Sequence, residues 1–202
     1  MKFGPKYKIA RKVGAPVFEK TQTQKFAMRE ARRKAAKSGK PRAKTDYGLQ
    51  VIEKQKARYS YGLTERQFSK YVKEAVKGKG DSANLLLQRL ESRLDNAVVR
   101  SGLVPTRAFA RQIVTHGHVL VNGKKVSFPS YEVGVGDKIS IREGSKKSPM
   151  FATIDEKMKS LTIPAWLKFN PEKREWEVQG KPSIGKTDVM FNVGVVLEFY
   201  SR

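Results

Sequence analysis

Apolar residues recur along this chain with two periods, and the helical one dominates its first half. Leu86, Leu90, Leu94 and Ala97 fall at three- and four-residue spacing and predict one helix with a single apolar face. Gly102 follows its last turn, where a left-handed residue commonly closes a helix. Thr106 predicts the N-cap of a second helix, and Gly117 its end. Val119 and Val121 then alternate into Asn122-Gly123, the dipeptide of a two-residue hairpin turn. Upstream, Phe68, Val72, Ala75 and Val76 make another helical face, with Tyr71 alongside. Its start is well marked. Thr64 and Gln67 form a capping box, and Leu63 is placed to staple onto Phe68. Gly78-Lys79-Gly80 stops it. Asp46 predicts the N-cap of a helix over residues 47–59, and residues 23–37 favour a helix that Ser38-Gly39-Lys40-Pro41 ends.

The second half alternates with the period of a strand. Tyr131 and Val133 lead into Gly134-Val135-Gly136-Asp137, and Ile139 and Ile141 continue as a strand after that turn. Residues 165–169 and 174–178 predict a strand pair around Asn170-Pro171-Glu172-Lys173, and residues 193–200 suit a buried strand. Residues 1–20, with Gly4, Pro5, Gly14 and Pro16, read as an extended arm. Residues 144–149 and 180–186 read as loops, and a short helix is expected near 154–161. The predicted fold class is α+β, with a mostly helical basic part and two short helices packed on a small antiparallel sheet.

Charge sharpens this picture. The 202 residues carry 42 Lys/Arg against 19 Asp/Glu, a formal net charge of +23. Residues 1–80 hold 23 basic and 6 acidic residues, a net +17, and the remaining 19 and 13 give +6. Such an excess repels itself in a compact state unless a polyanion neutralises it. Nucleic acid is the leading candidate. A membrane surface is the weaker one, because Lys2 stands where myristoylation needs glycine and the chain has no cysteine to prenylate. The absence of cysteine excludes disulfides and thiolate metal sites, and His116 and His118 are the only histidines. No metal or cofactor is expected. The first residues lack the apolar core of a signal peptide, and no apolar run approaches the roughly 18 residues of a membrane span. A cytosolic protein is the default expectation.

Catalytic signals are weak. Gly78-Lys79-Gly80 and Gly134-Val135-Gly136 lack the Lys-Ser/Thr ending of a phosphate-binding loop and read as turns. His116 falls at a helix end, where a cation complements the dipole. Two neighbouring histidines assemble no triad with a serine and an acid. Trp166 and Trp176 are expected in a core, whereas Tyr47, Tyr59, Tyr61 and Tyr71 fit either helix packing or base stacking. The cations carry the functional expectation. In the hairpin unit they are Arg93, Arg100, Arg107, Arg111, Lys124 and Lys125, with Gln112 beside them. In the helical half they are Lys54, Lys56, Arg58, Arg66, Lys70 and Lys73. A preorganised cationic surface suits A-form RNA, whose deep major groove side chains do not read. The helix of residues 23–37, with its thin apolar face, reads as a segment ordered by RNA.

Arg93-Leu94-Asp95-Asn96, the helix holding Thr106-Arg107 and Ala110-Arg111-Gln112, and Val121-Asn122-Gly123 resemble the RNA-binding module of the small-subunit ribosomal protein S-four family. Asp46-Tyr47-Gly48, Glu53-Lys54-Gln55-Lys56, Tyr61-Gly62, Glu65-Arg66-Gln67-Phe68 and the ending Glu198-Phe199-Tyr200-Ser201-Arg202 extend the resemblance over residues 42–202. It implies an N-terminal arm over residues 1–45 and a helical rRNA-binding domain over 46–92, completed by 190–202. The module, with a strand extension, is then inserted over 93–189. It further implies no enzymatic activity and a place in the cytoplasmic ribosome. The implied partners are a helical junction in the 5′ domain of 16S rRNA, bound early in assembly, and mRNA at its channel's entrance beside ribosomal proteins S-three and S-five. An influence on decoding accuracy is implied as well. The arm departs from the family: it has neither a cysteine cluster for zinc nor a Pro-Gly-Gln-His-Gly-type segment. Alternatives are an RNA pseudouridine synthase or methyltransferase carrying the same module, and a ribosome-associated RNA chaperone.

Overall fold

The computed structural model of the chain describes residues 3–36, 44–151, 163–183 and 189–201. Its helices in chain order are α1 (Lys6–Val13), α2 (Gln24–Ala35), α3 (Asp46–Ser60), α4 (Glu65–Lys77), α5 (Ser82–Glu91), α6 (Leu94–Arg100), α7 (Arg107–Thr115), α8 (Glu143–Lys146) and α9 (Val193–Ser201). The strands are β1 (Val119–Val121), β2 (Lys124–Lys125), β3 (Lys138–Ile141), β4 (Leu167–Asn170) and β5 (Glu175–Val178). The class is α+β, as the pattern predicts. Two compact units emerge: Met1–Ala83 with Gly185–Arg202, and Asn84–Ile184.

The first unit is helical, and its opening is not an extended arm. Pro5 occupies the N-cap of α1, where its fixed φ and missing N–H cost nothing, and Gly14 closes the helix at φ 71°. Ala10 and Val13 are buried, and Val13 joins Val17 and Phe18 in a small core against Ile52 and Tyr59 of α3. The cap of α3 is Thr45 rather than Asp46: the Gly48 N–H donates to Thr45 Oγ1 at 3.2 Å. Asp46 is instead the first helical residue, where its charge complements the dipole. The capping box of α4 forms as predicted, the Gln67 N–H donating to Thr64 Oγ1 at 3.2 Å and the Thr64 N–H to Gln67 Oε1 at 3.5 Å. Leu63 and Phe68 are both fully buried.

Residues 193–200 form a helix, not a strand. Asn192 caps α9, accepting from the Val195 N–H at 3.3 Å. Val193, Val196 and Tyr200 recur at helical spacing, a signal hidden by the surrounding valines and aromatics. That face packs α9 on α3 and α4, bringing Phe199 to Tyr47 (ring centres 5.9 Å apart) and Tyr200 to Phe68 (6.1 Å).

In the second unit the face of Leu86, Leu90, Leu94 and Ala97 is split between α5 and α6. Arg93 is extended, at φ −68° and ψ 137°. The break arises because a distant segment captures this backbone: Val133 N–H donates to Ser92 O at 2.8 Å, and Leu94 N–H to Tyr131 O at 2.7 Å. Tertiary hydrogen bonds here override a helical pattern. Thr106 caps α7, accepting from the Phe109 N–H at 3.2 Å. Asn122 (φ 51°) and Gly123 (φ 75°) give the left-handed pair that a tight hairpin between β1 and β2 requires. The antiparallel sheet has the order β2-β1-β3-β5-β4. Trp166, Trp176, Phe151 and Ile139 lie in its core with Leu94 and Ile113. The expected loop at 144–149 instead overlaps α8 and a 3-10 turn at Pro149–Phe151. The helix expected near 154–161 lies outside the described residues, as do the breaker at 38–41 and part of the loop at 180–186.

Candidate nucleic-acid interface

The structure sorts the candidate cations into two groups that composition could not separate. On α4, Phe68, Val72 and Ala75 face inward. Arg66, Lys70, Lys73 and Lys77 stand four, seven and eleven residues along and are all exposed. At 3.6 residues per turn this is one cationic stripe opposite the apolar one. Its one ion pair among the described residues is a loose contact of Lys70 with Glu74 at 3.8 Å, and the Lys70 side chain remains 75% exposed. Four cations along one exposed ridge form a surface suited to tracking a phosphate backbone.

Lys54, Lys56 and Arg58 behave differently. Lys54 Nζ lies 2.9 Å from Glu65 and 4.4 Å from the centre of the Phe199 ring, Lys56 pairs with Glu53 at 2.6 Å, and Arg58 reaches Glu65 at 3.3 Å. Tyr200 Oη donates to the same Glu65 at 2.7 Å. Burial alone would raise the Glu65 carboxyl, but the hydrogen bonds from Tyr200 and Lys54 and the charges of Lys54 and Arg58 outweigh it and hold it low. Burial first, and then the bond to Glu65, push the Tyr200 phenol up. Lys54, against Phe199 and Tyr200, ties α9 to α3, Arg58 braces the Glu65 that Tyr200 bonds, and Lys56 stays paired within α3.

The module's arginines turn inward too. Glu91, at the end of α5, is fully buried, and Arg100 grips it with Nε 2.9 Å and Nη2 3.1 Å from its two oxygens. Asn96 also donates to Glu91 and accepts from Arg107 Nε at 2.7 Å. Asp95 receives Arg93 Nη2 at 2.8 Å and Arg111 Nη2 at 2.7 Å. Arg93 does not decorate the surface as the sequence suggested: its side chain is 3% exposed. The spacing of Arg107 and Arg111 brings both to the first turn of α6. Four guanidiniums thus share two carboxylates, leaving a surplus of positive charge on a rigid frame. Gln112, Lys124 and Lys125 are exposed beside this frame.

Reasoning from sequence missed three anchors: Glu65, Glu91 and the Asp95–Asn96 pair. Acids scattered among a cationic excess are the available signal, since a buried guanidinium needs a partner. Sequence also gave no hint that Ser145 would meet His118, whose Nδ1 lies 2.8 Å from Ser145 Oγ. No carboxylate hydrogen-bonds His118 among the described residues, so no triad forms. Trp166 and Trp176 are core residues, as expected. Tyr61 is buried, whereas Tyr47 stays exposed against Phe199. The described residues contain no group of acidic or histidine side chains able to hold a metal, and no helix long and apolar enough to cross a membrane.

Two family models divide the chain where its character changes. Residues 2–91 match the ribosomal protein S4/S9 N-terminal domain, and residues 92–139 match the S4 domain. The architecture is therefore that of an S4-type ribosomal protein. Among curated relatives, small ribosomal subunit protein uS4 of Roseiflexus castenholzii is 41% identical over 201 residues, covering 98% of each chain. The uS4 of Halothermothrix orenii is 41% identical over 203 residues at the same coverage. That of Cutibacterium acnes is 46% identical over 165 residues, 81% of this chain and 82% of its own. The chain belongs to the uS4 family of small-subunit ribosomal proteins. This family is structural rather than enzymatic and resides in the cytoplasmic ribosome.

Proposed function

We propose that this chain is a structural protein of the small ribosomal subunit that clamps a helical junction in the 5′ domain of 16S rRNA early in assembly. Family membership supports the coarse reading, a non-catalytic subunit protein bound to rRNA. The observation that carries the mechanism is the ridge of Arg66, Lys70, Lys73 and Lys77, exposed along one side of a helix whose other side is core. In this reading the ridge follows one phosphate strand. In the module, Arg100, Arg107, Arg111, Gln112, Lys124 and Lys125 meet a second RNA surface. Arg93, Lys54, Lys56 and Arg58 hold the frame that presents these groups. Contacts with ribosomal proteins S-three and S-five and with mRNA at the channel's entrance, and an influence on decoding accuracy, complete the proposal.

The test is a binding titration against a 16S 5′-domain transcript from about 50 to 200 mM salt. A log–log plot with a steep negative slope is expected, each phosphate contact adding somewhat less than one unit. A flat plot sinks the electrostatic clamp. Quantifying the protein in salt-washed small subunits checks the assembly role: about one copy per subunit is expected, and trace amounts would make it a transient factor.

A further inference from the structure

Helix α2 buries none of its residues. Among the described residues it is tied to α1 by the Arg11–Glu30 ion pair at 3.2 Å and by the contact of the Phe26 and Tyr7 rings, 5.7 Å apart. Between the two helices lies an open groove of about 770 Å³. Its wall is apolar, formed by Ala10, Ala15, Pro16, Phe26 and Ala27. Its rim is cationic: Lys8, Lys12, Arg33 and Lys34 line it and are all exposed. Glu30 is the one acid of the lining, and its Oε2 is buried, charge-paired with Arg11 yet accepting no hydrogen bond. An apolar slot with a positive rim and a buried acceptor is a poor seat for duplex RNA, whose bases are stacked away. It fits an extruded base whose flanking phosphates meet the rim.

We propose that this groove receives an unpaired guanine of bound RNA, the base lying along Phe26 and Ala27 and its N1–H and N2–H₂ donating to the Glu30 carboxylate. The proposal rests on the RNA-binding reading above. Guanine is singled out by donor geometry. Its Watson–Crick edge offers two adjacent donors to one carboxylate, whereas adenine sets an acceptor beside its single donor group and uracil flanks its N3–H with two carbonyls. Lys8, Lys12, Arg33 and Lys34 supply the attraction for the strand, and Glu30 supplies the choice of base.

The test uses full-length protein and three single-stranded hexaribonucleotides, UUGUUU, UUAUUU and UUUUUU, with the 16S 5′-domain transcript titrated in parallel. Fluorescence anisotropy is expected to show UUGUUU bound at least about fivefold tighter than the other two, the scale of one bidentate base contact. Glu30→Gln abolishes that preference while leaving UUUUUU binding in place. Ala27→Glu, at an exposed position of the groove, weakens all three hexamers and removes the preference. Met28→Glu introduces the same charge at an exposed position of α2 outside the groove lining, and it keeps the preference. Equal binding of the three hexamers by a wild-type protein that still binds the transcript overturns the groove inference and spares the functional reading. A guanine preference that survives Ala27→Glu overturns the location. Failure to bind the transcript or any hexamer overturns both.

Discussion

Each unit gathers cations around a carboxylate, and the two carboxylates sit in opposite environments. Glu91 in the module is fully buried and holds Arg100, Arg107 and Asn96. The Glu65 side chain in the helical unit is 42% exposed and holds Lys54, Arg58 and Tyr200. A charge removed from water attracts its partners more strongly, and leaving it unpaired costs far more. The module therefore uses its arginines to fix a rigid shape. The helical unit instead presents Arg66, Lys70, Lys73 and Lys77 on the outside of α4, where they contribute little to stability and are open to an external anion. Cations can thus serve first as scaffold in one region and first as interface in another.

The largest effect is expected where the network is driest. Glu91→Ala leaves three guanidinium and amide groups facing a void and should destabilise the module by about 3–5 kcal/mol, the cost of breaking a buried pair. Lys70→Ala, at an exposed position, should change stability by less than about 0.5 kcal/mol. Thermal or urea unfolding of the two variants measures both. Equal destabilisation would erase the distinction between the regions.

RNA binding should reverse that order. Replacing Arg66, Lys70, Lys73 and Lys77 together by Gln is expected to lower the salt slope on the 16S transcript by about three to four units. At intermediate salt the affinity should fall by about a hundredfold, with little change in melting temperature. Arg93→Gln is the counterpart: the module loses stability while the slope stays put, because this side chain is inside. A slope that falls with Arg93→Gln and not with the α4 variant would assign the interface to the wrong helix.

What the sequence made legible follows from where its physics is local. The Thr64–Gln67 box, the Thr106 cap and the Asn122-Gly123 turn are decided by neighbours within a few residues, and all three form. The break at Arg93 was not legible, because Tyr131 and Val133, some forty residues away, make it. The helix of residues 193–201 was missed for a related reason. Its valines and aromatics suit a strand by propensity, and only docking on α3 and α4 selects the helix. For the site, charge and spacing located the cations, but the direction each one faces depends on acids elsewhere in the chain.

A moderate effect tests how firmly the α4 ridge is held. Thr64→Ala removes the cap's hydrogen bond from the Gln67 N–H and should cost about 1 kcal/mol. Thr64→Asn should restore most of it. Hydrogen exchange is the useful readout, since loss of protection should be greatest in the first turn of α4, next to Arg66. Should the ridge depend on preorganisation, affinity for RNA falls with the cap and returns with Asn. Affinity that ignores both changes would mean that the RNA itself orders this turn.

A smaller loss of stability belongs to the half-exposed cluster, and pH exposes it. The Glu65 carboxyl is held below its ordinary value of 4.5, so its contribution to stability is present above that pH and is lost as pH falls through the lower folded value. The Tyr200 phenol is raised above its ordinary value of 10.0. It keeps its proton while an unfolded tyrosine ionises, so its contribution is complete below pH 10 and is lost as pH rises beyond it. Tyr200→Phe removes the hydrogen bond to Glu65 and should cost about 0.5–1 kcal/mol near neutrality, reduced by solvent screening. Its diagnostic is shape rather than size. Stability plotted against pH should lose part of its acid slope, because Glu65 is no longer held as low, and part of its alkaline slope, because one titrating phenol is gone. A uniform drop with both slopes unchanged would mean that Tyr200 acts through packing on Phe68 alone. Glu65 would then be an ordinary surface carboxylate, and the kinship between the two clusters would fail.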